Sequence, residues 1–154
     1  MSHARGTNEG RPAPEYRFDL GEVEAVLRGD AEKHGVVSLR RRSGRLELVR
    51  APYFVLNIYR FMKSGTLMAI ARDEPIEAEA GPDRLTLRWR PTEAHPARLT
   101  AEYAVTRPDT IDLTLTSQVE APLPAYEVYT SSYFDFALEP YVVVPSWPGK
   151  DAPG

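Results

Sequence analysis

The chain has no cysteine among its 154 residues. Disulfides, thiolate metal sites and a cysteine nucleophile are therefore excluded. Histidine is scarce too. His3, His34 and His95 stand apart, with no carboxylate or second histidine at ligand spacing, so no metal is expected. His34 before Gly35 reads as a turn residue, and His95 before Pro96 as part of a polar loop. Neither a glycine-rich phosphate loop nor a Gly-x-Ser-x-Gly elbow occurs, which leaves nucleotide chemistry and triad hydrolysis without a motif. No cofactor is implied. No apolar run reaches the length of a membrane span, and the opening MSHARGTNEGRPAPEY lacks the apolar centre of a secretory signal. The expectation is a soluble, cytoplasmic protein with no membrane partner. An excess of one charge is missing as well. With 19 Lys and Arg against 22 Asp and Glu, the basic stripe that nucleic acid requires is not expected. The local cluster Arg40, Arg41, Arg42 and Arg45 reads as a solvated hairpin tip.

What is present is alternation in twos. Leu46 and Leu48 oppose Arg45 and Glu47. Leu85, Leu87 and Trp89 oppose Arg84, Thr86, Arg88 and Arg90. Leu99, Ala101, Tyr103 and Val105 oppose Arg98, Thr100, Glu102 and Thr106. Such patterns belong to antiparallel strands with one buried and one wet face. Ser43-Gly44, Lys63-Ser64-Gly65, Gly81-Pro82-Asp83 and Arg107-Pro108-Asp109 fall between them, where turn residues belong. Between Glu22 and Lys33, helical spacing of Val23, Val26 and Leu27 competes with alternation of Val23, Ala25 and Leu27; a strand ending at Gly29 is expected. The fold class is thus all-β, an antiparallel β-sandwich of roughly ten strands over residues 15–145. Residues 1–14 read as a disordered lead-in and 146–154 as a tail. The stop after residues 141–144, without a closing strand, suggests the front part of a longer domain.

Residues 53–62 read as a central strand, apolar on both faces, with Phe54, Leu56 and Ile58 on one side and Tyr53, Val55, Tyr59 and Phe61 on the other. Asn57 and Arg60 interrupt it. An arginine among apolar neighbours needs a carboxylate or a ligand, unless it sits at a strand end and snorkels.

The richest segment is 109–136, DTIDLTLTSQVEAPLPAYEVYTSSYFDF. It opens as a strand, with Ile111, Leu113 and Leu115 facing one way. It then crowds Tyr126, Tyr129, Tyr133, Phe134 and Phe136 around Ser131, Ser132 and Asp135. Rings among hydroxyls and a carboxylate suit a sugar, which offers apolar C–H faces and many hydroxyls. The competing account makes Tyr126, Val128 and Phe134 core residues and the serines strand filler. The carboxylates Glu77 and Glu79 share a solvent-facing stripe and need no catalytic explanation.

This segment resembles the galactose mutarotase-like family, the β-supersandwich of aldose 1-epimerases. There a long strand leads through a Pro-containing link into a motif of the form Thr-Asn-His-Ser-Tyr-Phe-Asn-Leu. Here Ser132, Tyr133 and Phe134 match its Ser-Tyr-Phe, and Asp135 replaces the Asn. The resemblance implies a supersandwich fold and a saccharide ligand. It also implies an altered chemistry, because the family's acid histidine aligns with Ser131, whose hydroxyl cannot protonate a ring oxygen near neutral pH. The family's glutamate base would lie beyond residue 154. The leading expectation is carbohydrate binding without mutarotase chemistry and with no catalytic residue assigned. The surface would be built from Asn57, Arg60, Tyr129, Ser131, Ser132, Tyr133 and Asp135. Two alternatives stand beside it: an isomerase or lyase with further catalytic groups downstream, and a structural or interaction module. The oligomeric state is left open.

Overall fold

The computed structural model of the chain describes residues 15–30, 33–107 and 110–139. The expected lead-in, the tail, residues 141–144 and the turn residues Pro108 and Asp109 lie outside the described residues.

Ten strands are described, in three antiparallel sheets. β1 (Glu15–Asp19), β2 (Val23–Gly29) and β3 (His34–Arg41) form one meander. β4 (Asn57–Lys63) lies between β5 (Thr66–Ile70) and β10 (Tyr126–Ser131) in the second sheet. β6 (Ile76–Ala80), β7 (Arg84–Trp89), β8 (Ala97–Arg107) and β9 (Thr110–Val119) follow one another in the third. The fold is all-β, as the alternation indicates. Among the described residues no helix is long and apolar enough to cross a membrane.

The three sheets share one core. Leu27, Ile58, Phe61, Leu85, Leu87, Trp89, Leu99 and Tyr103 are all fully buried in it. The alternating residues of β7 and β8 therefore point where their period places them. The last residue of β2, Gly29, is glycine because that position has no room for a side chain. A Cβ there would lie 2.8 Å from Ala78 Cβ and 2.9 Å from Leu87 Cδ2, so glycine lets the first sheet press onto the third. Lys63 and Thr66 pair across Ser64-Gly65, both at positive φ, which is the two-residue hairpin that the sequence suggests.

Other expectations change. The strand expected over 53–62 begins at Asn57; the residues before it form a loop containing a cis Ala51–Pro52 bond and a positive φ of 54° at Leu56. β4 is central in its sheet, but strict alternation fails. The pairing shifts from Tyr129↔Arg60 to Thr130↔Ile58, so a bulge places Ile58 and Phe61, three residues apart, in the same core. Leu46 is exposed, while Glu47 turns partly inward and accepts hydrogen bonds from Ser38 Oγ (2.6 Å) and the Leu39 and Val49 amides. Desolvation pushes the Glu47 carboxyl up, but these bonds and Arg40 more than offset it and hold it below the usual range. The arginine cluster is exposed at a short 3-10 turn, Ser43–Arg45, where Arg42 pairs with Asp19 at 2.6 Å. Glu77 and Glu79 pair across strands with Arg90 and Arg88.

Both described histidines are buried rather than solvated turn residues. His95, fully out of solvent, stacks on Phe61 at 3.7 Å between centroids and shares a 2.7 Å hydrogen bond with the Tyr126 hydroxyl. It thereby joins the β8 approach loop to β10. Thr92 shapes that loop, accepting from the His95 amide at 3.0 Å and donating to Glu74 at 2.6 Å. Burial lowers the His95 pKa to about 4.

A histidine whose folded pKa lies below its unfolded value contributes full stability above about 6.5, and loses it as pH falls toward about 4. The wild-type melting temperature should therefore fall between pH 7 and pH 5, with a limiting loss on the order of 3 kcal/mol at lower pH. His95→Phe should flatten that slope. Glu47 loses its contribution from the ordinary carboxylate range downward, mostly below this interval; an unchanged slope in the variant would contradict this account of His95.

Candidate functional site

The site begins with a backbone clamp. The 48–57 segment is held on one side by β3, through Leu48 N–H to Leu39 O and the reciprocal pair between Val36 and Val55, each 2.9 Å. On its other side it meets the strand end beyond β10. Asp135 N–H donates to Leu48 O, Arg50 N–H to Tyr133 O and Tyr133 N–H to Phe54 O. Tyr103, buried in β8, donates its hydroxyl to Leu56 O at 2.7 Å. Gly35 makes this approach feasible. Its φ is 103°, and a Cβ there would lie 3.0 Å from Val55 O and 3.2 Å from Leu56 O.

Between these segments opens a cleft of about 160 Å³. Tyr53, Tyr59 and Tyr133 supply rings to its wall, with Phe54 and Ile58 as further apolar surface. Asn57, Ser131, His34 and Arg72 supply polar groups. Asn57 Nδ2 donates to Ser131 Oγ at 3.3 Å, a pairing set by the Ser131↔Asn57 register of β10 and β4. The Tyr53 and Tyr133 rings stack at 4.7 Å and both remain exposed. His34 Nε2 lies 2.6 Å from Ile58 O; a carbonyl only accepts, so that nitrogen carries a proton. His34 also sets its ring edge against Trp89, which fixes it at the cleft floor.

Three of the seven residues expected from sequence, Asn57, Ser131 and Tyr133, line this cleft. Tyr129 and Arg60 reach it only through Tyr59. Tyr129 tilts against that ring at 6.2 Å, and the Arg60 guanidinium lies 4.5 Å above it while donating to its hydroxyl at 3.1 Å. Arg60 thus rests on an aromatic face, and among the described residues it meets no carboxylate. Ser132 and Asp135 serve the chain itself. Ser132 Oγ accepts from the Leu56 amide at 2.9 Å, and Asp135 Oδ1 accepts from the Ala137 amide at 2.9 Å. Tyr126, Val128 and Phe134 pack against the core. Of the residues not expected, Tyr59 sits beside Arg60 in sequence, and for His34 the Gly that follows it was the available signal of close approach. Arg72, from the 3-10 turn Ala71–Asp73, had no local signal.

Among the described residues, no group of three His, Asp or Glu is placed to hold a metal ion. Comparison with protein-family models, curated proteins and solved structures finds no match to this chain.

Gly35→Ala should lower stability by about 1–3 kcal/mol, from overpacking against the 55–57 backbone and from its positive φ. Denaturant unfolding would show it, and wild-type stability in the variant would contradict the close approach. Tyr133→Ala should cost only about 1–2 kcal/mol, well under the ~3–5 of a buried aromatic, because the ring is 40% exposed and its backbone bonds persist. Outright unfolding would instead make Tyr133 a core residue.

Proposed function

We propose that the protein recognises a saccharide in the cleft between β4, the end of β10 and the 53–57 loop, without aldose epimerase chemistry. The observation that carries this reading is the composition of the cleft wall. Exposed tyrosine rings flank an amide and a hydroxyl, and among the described residues no carboxylate lines the space. Aromatic faces suit the C–H surface of a pyranose, and a few fixed polar groups orient its hydroxyls. The volume is below the ~300–1,000 Å³ usual for larger organic ligands, so it suits one sugar unit rather than a chain of them. The resemblance of the 126–138 segment to the galactose mutarotase-like motif supports the same ligand class, since Ser131 and Tyr133 of that motif line the cleft.

Reaction chemistry has less to work with. Ring opening needs an acid and a base on opposite sides of the sugar. Among the described residues, the wall offers His34 alone as an ordinary acid/base side chain, and its Nε2 is engaged by Ile58 O.

A thermal melt of the chain with a panel of monosaccharides tests the reading. One sugar should raise the melting temperature, since a ligand at 100 times its Kd adds about 2.7 kcal/mol. Asn57→Ala, which removes the amide without disturbing β4 pairing, should abolish the shift and keep a cooperative melt. A cooperative melt that no sugar moves would favour a structural or interaction module instead.

A further inference from the structure

We infer that the sugar bound in this cleft carries an anionic oxyacid group, a carboxylate or a phosphate ester, anchored by Arg72. This rests on the saccharide reading and specifies its ligand class. Among the described residues, Arg72 is the one permanently charged side chain on the cleft wall. It is exposed, and among the described residues its guanidinium makes no hydrogen bond and no ion pair. The two acids that follow it do not serve as its partners. Neither Asp73 nor Glu74 lines the cleft, and Glu74 is buried with its carboxylate bonded by Thr92.

The balance of donors and acceptors points the same way. A guanidinium offers five N–H groups and no acceptor. Asn57 adds an amide N–H, already oriented by Ser131, and the tyrosines and Ser131 add hydroxyls. The Tyr59 hydroxyl already accepts from Arg60, which leaves its own proton to donate. With no carboxylate on the wall among the described residues, the cleft is rich in donors and poor in strong acceptors. A neutral sugar both donates and accepts at every hydroxyl, whereas a carboxylate or phosphate only accepts at its charged oxygens. Such a group can meet Arg72 in a bidentate, charge-assisted pair while the ring rests on the tyrosines.

Calorimetric titration of the chain with glucose, glucuronate, glucose 6-phosphate and inorganic phosphate tests the inference. At least one charged sugar should bind more tightly than glucose, with affinity falling as ionic strength rises. Arg72→Gln should weaken that binding roughly 10- to 100-fold, and Arg72→Lys should recover only part of it. The free variant should melt as wild type, since the side chain holds nothing in the fold. Preference for glucuronate identifies the carboxylate, and preference for glucose 6-phosphate the phosphate ester. Glucose binding as tightly as both charged sugars would overturn the inference and leave the saccharide reading standing, as would an Arg72→Gln variant of unchanged affinity. If no sugar binds, or if inorganic phosphate binds as tightly as the preferred charged sugar, both readings fall.

Discussion

The reciprocal hydrogen bonds between Val36 and Val55 are the contact on which the rest of the molecule depends. They tie the first sheet to the entry of the second, and they exist only because Gly35 lets two backbones meet where a Cβ would crowd Val55 O and Leu56 O. From that point the chain turns through Leu56, at positive φ, into β4. Its amide and carbonyl are then claimed by Ser132 and Tyr103 respectively. The third sheet and the segment beyond β10 thus meet at one loop residue, next to the Val55 that the first sheet holds. Buried or half-buried loop backbone is tolerable only when its polar groups are paired, and here the partners come from β8 and from beyond β10.

That convergence also explains where the cleft lies. A strand packed on both faces leaves no opening, whereas the turn that precedes β4 holds the neighbouring segments apart by backbone contacts rather than by side chains. The wall residues are therefore free to be chosen for something other than packing. Tyr53 and Tyr133 stack on each other while staying exposed, an arrangement that a core would not need. Beneath them runs a buried line of rings, His34 against Trp89, Trp89 against Phe61, Phe61 on His95 and His95 on Tyr126. The floor is rigid because its members lock one another, and the rim is open because its members touch solvent.

The fold was largely legible in sequence because alternation is a local property. β7 and β8 bury the leucines, Trp89 and Tyr103 that their period assigns to the core, and the Ser64-Gly65 hairpin is written in its own two residues. Legibility ends where geometry ceases to be local. A bulge in β4 shifts the phase so that Ile58 and Phe61 share a face. A carboxylate satisfied by backbone amides lets Glu47 turn inward against its pattern. His95 reads as a loop residue until Tyr126, thirty-one positions later, is laid over it. The cleft is the extreme case, since His34, Asn57, Arg72 and Ser131 come from four separate elements. Only the register of β10 against β4 brings Asn57 to Ser131, and no spacing in the sequence encodes that register.

Ser131 and Ser132 show how little separates structure from function in such a site. They are adjacent and chemically identical, so sequence cannot assign them different tasks. Strand geometry can, because successive side chains leave the backbone on opposite sides. Ser131, the last residue of β10, turns toward Asn57 and the cleft. Ser132, one step on, turns to the Leu56 amide and fixes the loop that carries Tyr53 and leads into Asn57. One hydroxyl is thus spent on holding the wall in place and the other is left to face whatever enters. The same division runs through the tyrosines, where Tyr103 and Tyr126 use their hydroxyls inside the protein while Tyr53 and Tyr133 carry theirs to the rim. The division follows from burial: the hydroxyls of Tyr103 and Tyr126 meet partners within the protein, whereas the rings of Tyr53 and Tyr133 stay exposed.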